Sequence, residues 1–166
     1  MDFKTLANQY RNELLDNVLP FWLEHSQDLE FGGYFTCLDR KGGVFDTDKF
    51  IWLQGREVWM FSMLYNKVEK RQEWLDCAVQ GGGFLKKYGH NGDYNWYFSL
   101  NRSGRPLVEP YNIFSYTFAT MAFGQLSLAT GSQEYADIAK KTFEIILSKV
   151  DNPKGKWNKL HPDTRN

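Results

Sequence analysis

The sequence predicts an all-α fold built from helical hairpins, with short β-hairpins placed between the helices. Apolar residues recur every three to four positions over five long segments, which is the periodicity of helices with one buried face. Two intervening segments instead alternate apolar and polar residues around a glycine-containing turn, which is typical of a β-hairpin. The third observation is an internal repeat of about 62 residues, so that a unit of helix, hairpin and helix recurs.

The first unit begins with an amphipathic helix over residues 3–22, in which Pro20 is expected to bend or end the helix. The stretch EFGGYFTCLDRKGGVFD at 30–46 predicts the first β-hairpin. A second helix covers 50–68 and contains the apolar run FIWLQGREVWMFSML. Gly55 in this run lowers helix propensity by about 1 kcal/mol relative to alanine, which indicates close approach of a ligand or of a neighbouring backbone.

The second unit repeats this order. A third helix is predicted over 72–88, although the glycines at 81–83 weaken its pattern. Residues 95–109 predict the second β-hairpin, and the fourth helix fits residues 113–130.

A fifth helix is expected to follow almost directly and to end near Val150. Gly131 is a suitable C-cap for the fourth helix, and Ser132 is a suitable N-cap for the fifth.

The repeat is visible in two pairs of segments. Residues 34–36, YFT, precede a DRKG turn, and residues 97–99, YFS, precede an NRSG turn 63 residues later. Residues 72–78, QEWLDCA, resemble residues 133–139, QEYADIA, at a separation of 61. The chain therefore contains about two and a half units.

The way in which these units bury their apolar faces allows two architectures. They form either a small open bundle or the N-terminal part of a larger closed ring, and the unpartnered fifth helix favours the ring. In such a ring each unit sends one helix inside and one outside. The second and fourth helices are the predicted inner helices, and a pocket is expected at the mouth, beside the hairpins.

Composition excludes several classes of function. The formal net charge is zero and no basic stripe is present, which argues against nucleic acid as a partner. No apolar run approaches the roughly 20 residues that a membrane span requires. Cys37 and Cys77 lack metal-like spacing, so free thiols in a reducing cytoplasm are expected.

One face of the second helix carries the main candidate site. Trp52, Arg56, Trp59 and Met63 follow one another at spacings of four, three and four residues. Arg56 either stacks on a tryptophan and pairs with an acid elsewhere, or faces a water-filled pocket and binds oxygens of a polar ligand. The residues alone do not decide between these two interpretations.

The remaining candidates give weaker signals. Phe114 and Ser115 begin the fourth helix, where core packing is the simpler interpretation. His25, His90 and His161 show no metal-like or triad-like setting. Glu57 and Glu109 would be the carboxylates of an (α/α) glycosidase, but no motif supports that pair. The basic residues of the final loop suit either a nucleotide phosphate or plain solvation; they are Lys154, Lys156, Lys159 and Arg165.

Several motifs resemble the N-acylglucosamine 2-epimerase family. They are FWLEHSQDLEFGGYFTCLDRKGGVFD with KFIWLQGREVWMF, then RSGRPL, IFSYTFATMAF, LATGSQEYADIA and NPKGKWNK. The resemblance implies a cytoplasmic isomerase on an (α/α)6 toroid, and six units would need about 370 residues. It thus implies that residues 1–166 are the N-terminal part of a single toroid domain, with the rest of the ring absent.

The resemblance also implies a reaction, the interconversion of N-acetylglucosamine and N-acetylmannosamine by removal and return of the C2 proton. The family uses two histidines for proton transfer, and these lie in later repeats, so the resemblance places no catalytic residue in this chain. Arg56 matches the family's active-site arginine, and Trp52 matches a pocket-wall aromatic residue. Phe114 and Ser115 occupy positions that are implied to reflect preference for an N-acyl sugar.

Further expectations follow from the same resemblance. ATP is implied as an activator that is not consumed, with Lys154, Lys156 and Lys159 as its site, and the full-length protein is implied to be a homodimer. The isolated chain is expected to lack epimerase activity. Two alternatives stay open: a relative acting on mannose or cellobiose, and a non-catalytic helical fragment that binds sugar, nucleotide or protein.

Overall fold

The computed structural model describes residues 2–110 and 113–151, which form six α-helices and five short strands. The helices are α1 (Phe3–Glu13), α2 (Leu19–His25), α3 (Ile51–Lys67), α4 (Gln72–Tyr88), α5 (Phe114–Thr130) and α6 (Gln133–Ser148). The strands are β1 (Cys37–Leu38), β2 (Val44–Asp46), β3 (Lys49–Phe50), β4 (Ser99–Leu100) and β5 (Pro106–Val108). The order of predicted helices and hairpins is confirmed.

The first predicted helix runs beyond Pro20 rather than ending there. A π-helical turn at Leu14–Val18 joins α1 to α2, and the N–H of Leu19 donates to the carbonyl of Leu14. Pro20 stands in the first turn of α2, directly after this π-helical turn. The change of hydrogen-bond register therefore precedes the proline and lets the chain stay helical.

The strands form two small antiparallel sheets beside the starts of the inner helices. β1 pairs with β2, as the first predicted hairpin requires. β4 pairs with β5 as the second hairpin, and β4 also pairs with β3 to give the order β3-β4-β5. Strand β3 was not predicted from the sequence; it is only two residues long and joins the first unit to the second.

Helices α3 and α5 lie side by side at the centre of the described structure, with α4 packed on α3 and α6 packed on α5. This agrees with the prediction that the second and fourth long helices are the inner ones. Their shared core is completed by aromatic and aliphatic side chains from α4 and the hairpins. The largest fully buried aromatic side chains of this core, from α3, α4, α5 and the two hairpin segments, are Trp74, Trp96, Tyr34, Tyr116, Phe61 and Phe123.

The glycine run at 81–83 does not interrupt α4, which is continuous from Gln72 to Tyr88. Gly81 instead makes room for Tyr34, whose hydroxyl would meet any Cβ at that position. Tyr34 is fully buried and donates a hydrogen bond of 2.8 Å to the carbonyl oxygen of Cys77. The glycine thus lets a side chain of the first hairpin anchor on the next helix.

The predicted caps around residue 131 are also confirmed. Gly131 ends α5 with a φ of 70°, a left-handed conformation that glycine adopts without steric cost. The hydroxyl of Ser132 accepts a hydrogen bond of 3.4 Å from the N–H of Tyr135 and so caps α6.

Candidate active site

The exposed face of α3 carries the four residues that the sequence analysis grouped together. Trp52, Trp59 and Met63 are half-buried, and Arg56 is exposed. The opposite face is buried and includes Gln54 and Val58. Arg56 therefore lies outside the apolar core, although its sequence neighbours are almost all apolar.

Arg56 rests on two aromatic rings from different helices. Its guanidinium carbon lies 5.7 Å from the centroid of Trp52 and 5.5 Å from the centroid of Phe118 on α5. The two rings are 6.1 Å apart and tilted by 47°. Within residues 2–110 and 113–151, no carboxylate lies within ion-pair distance of this guanidinium. Its planar N–H fork is available to a ligand with oxygen acceptors.

Gly55 explains how Phe118 comes so close to α3. A Cβ at position 55 would stand 3.0 Å from the backbone carbon and oxygen of Phe118. Of the two causes that the sequence allowed for this glycine, the neighbouring backbone is therefore confirmed. The close contact places the Phe118 ring beside Trp52 and under Arg56.

Phe114 and Ser115 were the residues of α5 predicted from the sequence to bind a ligand, but the structure brings Phe118 to Arg56. Phe114 lies one turn before Phe118 on the same face and is 40% exposed, whereas Ser115 is buried. The spacing of four residues between Phe114 and Phe118 was the signal that could have identified the second ring. The predicted roles of Phe114 and Ser115 in substrate binding stay predictions.

A cavity of about 310 Å³ opens beside Arg56, between the end of α2 and the first turns of α3. Its walls are mainly aromatic and apolar, with the polar side chains of Thr36, Arg56 and Glu57 among them. The lining residues are Trp22, Thr36, Leu53, Arg56, Glu57, Trp59 and Met60. Glu109, the partner required by the glycosidase alternative, is exposed and does not line this cavity.

Glu57 is a buried acid in the wall of this cavity. Its exposed fraction is 7%, and its carboxyl oxygen Oε1 lies 2.5 Å from the hydroxyl oxygen of Ser26. Burial raises the pKa of Glu57 from 4.5 to about 8. Burial at this position therefore favours the neutral carboxyl over the carboxylate.

Strand β3, which directly precedes α3, is held by a buried ion pair between Lys49 and Asp28. Lys49 of β3 donates hydrogen bonds to Asp28 (2.9 Å) and to the carbonyl oxygens of Gly32 (2.5 Å) and Arg102 (3.0 Å). The side chains of Lys49 and Asp28 are both fully buried. All three ammonium protons thus have acceptors, which a buried charge requires.

Arg102 completes this network from the second hairpin. Its guanidinium donates to both carboxylate oxygens of Asp28, at 3.0 and 3.1 Å, and pairs with Glu30 at 2.9 Å. Burial alone would raise the pKa of Asp28, but the hydrogen bonds from Arg102 and Lys49 outweigh it and hold that pKa at about 2. The network fixes both hairpins and the start of α3 relative to one another.

The histidines that the structure describes are engaged away from Arg56. His25 packs on Phe21, and His90 stacks on Tyr94 while its Nδ1 accepts a hydrogen bond from the N–H of Gly92. His161 and the predicted effector residues Lys154, Lys156 and Lys159 lie outside the described residues. The described part of the chain contains no cluster of three or more His, Cys, Asp or Glu residues suited to a metal ion.

A family model described as N-acylglucosamine 2-epimerase (GlcNAc 2-epimerase) matches residues 33–165. The chain is 44% identical over 146 residues to the N-acylglucosamine 2-epimerase of Bos taurus, which covers 85% of this chain and 35% of that protein. The Homo sapiens protein of the same name is 44% identical, over 80% of this chain and 32% of that protein. A cellobiose 2-epimerase from Dictyoglomus turgidum is 27% identical, over 95% of this chain and 42% of that protein.

Solved structures give the same picture of the fold. A cellobiose 2-epimerase from Bacillus thermoamylovorans superposes with a TM-score of 0.79 and 29% identity, over 88% of this chain and 38% of that one. A sugar epimerase from a ruminal bacterium superposes with a TM-score of 0.80 and 27% identity, over 87% of this chain and 37% of that one. The predicted fold class, part of an (α/α)6 toroid, is confirmed by these structures. The chain spans about a third of the length of the two N-acylglucosamine 2-epimerases from Bos taurus and Homo sapiens.

None of the helices in the described ranges has the length and apolarity that crossing a membrane demands.

The inner helices, the two hairpins and the Arg56 face all fall within the region that the family model matches. The match covers most of the chain. The chain belongs to the N-acylglucosamine 2-epimerase family.

Proposed function

We propose that this chain supplies the arginine side of the sugar site of an N-acylglucosamine 2-epimerase. The observation that carries this proposal is the exposed guanidinium of Arg56, which lies on Trp52 and Phe118 and has no carboxylate partner among the described residues. Aromatic faces suit the C–H surface of a sugar, and a planar fork suits two neighbouring oxygens.

The proposed chemistry is removal of the C2 proton from the open-chain sugar and its return on the other face. The intermediate is an enediolate, whose negative charge develops on two adjacent oxygens. Arg56 would bind those oxygens and stabilise the charge as it forms. Its constant positive charge suits that role, whereas it does not suit proton transfer near neutral pH.

Proton transfer requires groups with a pKa near neutrality. Neither His25 nor His90 lies at Arg56, since each is packed against other rings, and the carboxyl of the neighbouring Glu57 is engaged by Ser26. We therefore assign proton transfer to residues of the remaining ring, which face Arg56 across the central pocket. The 166-residue chain alone is expected to bind the sugar without epimerising it.

The proposed substrate is an N-acyl amino sugar. The relatives with that name are 43–44% identical to this chain, whereas those named cellobiose 2-epimerase are 27–28% identical. The second candidate is a cellobiose or mannose epimerase, which the superposition on cellobiose 2-epimerase structures keeps open. The two candidates differ in the sugar bound, so a binding comparison separates them.

The test is calorimetric titration of the 166-residue chain with N-acetylmannosamine, N-acetylglucosamine and cellobiose. Arg56→Lys keeps the charge and loses the fork, so affinity for the N-acyl sugars should fall by about 10- to 100-fold, as for a lost hydrogen bond to a charged group. Arg11→Ala removes another exposed arginine, on α1, and should bind as the wild type does.

Equal binding by the wild type and Arg56→Lys would contradict the assignment of Arg56. Tighter binding of cellobiose than of either N-acyl sugar would favour the second candidate. Turnover of N-acetylmannosamine by the isolated chain would show that the proton-transfer groups lie within it.

Three further parts of the proposal concern the complete protein. We place it in the cytoplasm, in keeping with the free cysteines Cys37 and Cys77. We further propose that it is a homodimer and that ATP activates it through Lys154, Lys156 and Lys159. Replacing those three lysines by glutamine should abolish activation by ATP and leave the basal rate in place.

A further inference from the structure

The hydroxyl of Ser26 has two close oxygen neighbours and only one proton. Its oxygen lies 2.6 Å from the carbonyl oxygen of Trp22 and 2.5 Å from Oε1 of Glu57. A carbonyl oxygen can only accept, so the Ser26 proton serves the contact with Trp22. The second contact is as short as a hydrogen bond, and it needs a proton from the other partner.

We propose that Glu57 is a protonated positioning residue, whose carboxyl donates a hydrogen bond to Ser26 and so fixes the second turn of α3 to the end of α2. Ser26 is the C-cap of α2, and Glu57 follows Arg56 directly. The bond therefore sets the place of the backbone that carries Arg56. Its effect on sugar binding rests on the proposed function, whereas the protonation of Glu57 does not.

The surroundings of Glu57 favour the neutral acid. Only 7% of the surface of Glu57 is exposed. No cation among the described residues lies within ion-pair distance of its carboxyl group. Ser26 is the hydrogen-bond partner of its carboxyl within the described ranges. A buried carboxylate with one hydrogen bond and no cation would be strongly disfavoured, which agrees with the raised pKa of about 8.

The titratable groups that face Glu57 from other elements do not supply it with a counter-charge. Tyr34 from the first hairpin and Cys77 from α4 face it, and burial raises the pKa of both, so they stay neutral. On α3 itself the Arg56 guanidinium lies over aromatic rings instead. At the end of α2, His25 lies 3.9 Å from Glu24.

The sign of the pH effect follows from the two states. The unfolded chain loses this proton near the ordinary value of 4.5, and the folded chain keeps it until about pH 8. Between these values the folded state holds one extra proton, so the unfolding equilibrium constant should rise about tenfold for each pH unit. Above about pH 8 both states are ionised, and this contribution becomes constant.

The experiment compares denaturant unfolding of the wild type and Glu57→Gln from pH 5 to pH 9.5. Glutamine can donate to Ser26 through its amide N–H but does not titrate. The ratio of the two unfolding constants, wild type over variant, should rise about tenfold per pH unit up to about pH 8 and then level off. A ratio that is constant across this range would overturn the proposal.

A second measurement uses only the wild-type protein, so it does not depend on the folding of a variant. In the wild type labelled with carbon-13 at the glutamate side-chain carboxyls, one resonance should titrate near pH 8. Absence of any glutamate titration above pH 7 would also overturn the proposal. Neither measurement involves a sugar, so failure of Arg56 to bind sugar would not affect these results, and a flat titration would leave Arg56 binding intact.

The positioning role has its own readout. Glu57→Leu removes the donor and should weaken N-acetylmannosamine binding several-fold at pH 7, whereas Glu57→Gln should restore it. Wild-type affinity should also decline above about pH 8, and the affinity of Glu57→Gln should not. Equal sugar affinity of all three proteins at pH 7, together with identical pH profiles, would show that Glu57 does not position Arg56.

Discussion

The guanidinium carbon of Arg56 on α3 lies 5.5 Å from the ring centroid of Phe118 on α5. The candidate sugar site is therefore shared between two successive inner helices rather than built on one. Each helix contributes one ring, Trp52 from α3 and Phe118 from α5, and Arg56 lies over both. Substitutions on α5 should therefore change the affinity of Arg56 for its ligand.

Phe118→Ala should weaken N-acetylmannosamine binding about two- to fivefold. The substitution removes one of the two rings beneath Arg56, and a cation–π contact at an exposed site contributes about 0.5–1 kcal/mol. Calorimetric titration of the folded variant checks this value. Phe143→Ala is the matched control, because Phe143 is a half-exposed phenylalanine on α6.

The control should bind the sugar as the wild type does. Unchanged affinity of Phe118→Ala would mean that Arg56 keeps its orientation without the α5 ring, and that the site belongs to α3 alone.

Gly55→Ala should destabilise the fold by about 1–3 kcal/mol, as overpacking of a tight interior does. The new Cβ would stand 3.0 Å from the Phe118 backbone, so α3 and α5 must separate slightly. Gly83→Ala on α4 is the matched control, since a Cβ there meets nothing within 4 Å. That control should stabilise the protein by about 0.5–1 kcal/mol through helix propensity alone.

Both glycine variants can be measured by urea unfolding at one pH. The inference of a tight α3–α5 contact would fail if the two substitutions changed the free energy of unfolding by the same amount.

Lys49→Met should destabilise the protein by about 3 kcal/mol. It leaves Asp28 buried with one cation fewer and strips the donor from two carbonyl oxygens. The free energy of unfolding at pH 7 is the measurement. Lys41→Met, on the exposed turn of the first hairpin, should change it by less than about 0.5 kcal/mol. A similarly small effect at Lys49 would show that the ion pair contributes little beyond what a packed apolar chain provides.

Acid should weaken the fold through Asp28. Its folded-state pKa is lowered from 3.8 to about 2, so the ionised form is the stabilised one. The contribution is present above about pH 4 and is lost as the pH falls towards 2. Asp28→Asn should be less stable than the wild type at pH 7 but should lose less stability between pH 4 and pH 2. Parallel acid unfolding curves for the two proteins would contradict this assignment.

Local sequence patterns predicted most of the fold. The apolar period placed all the long helices to within a few residues, and the Gly131–Ser132 pair marked the boundary between α5 and α6. The π-helical turn before Pro20 was not predictable in the same way, because it depends on hydrogen-bond register rather than on residue type. Strand β3 was missed because its pairing partner lies about 50 residues away.

The candidate site was predicted in part. The face of Trp52 and Arg56 followed from helical spacing, and the interpretation of Gly55 as a close contact was confirmed. Phe118 and Ser26 were missed as partners, since each acts across the space between two helices. Periodicity shows which residues share a face, but only tertiary packing decides which face of the next helix meets it.

The pairing of β3 with β4 has a consequence for the order in which the chain can fold during synthesis. The N–H of Ile51, the first residue of α3, donates to the carbonyl oxygen of Phe98, and the ammonium of Lys49 needs the carbonyl oxygen of Arg102. The start of α3 thus cannot be completed until the ribosome has released residues some 50 positions downstream. Any nascent or truncated chain that stops before the second hairpin leaves the Lys49 ammonium without its full set of acceptors and the Arg56 helix unanchored at its first turn.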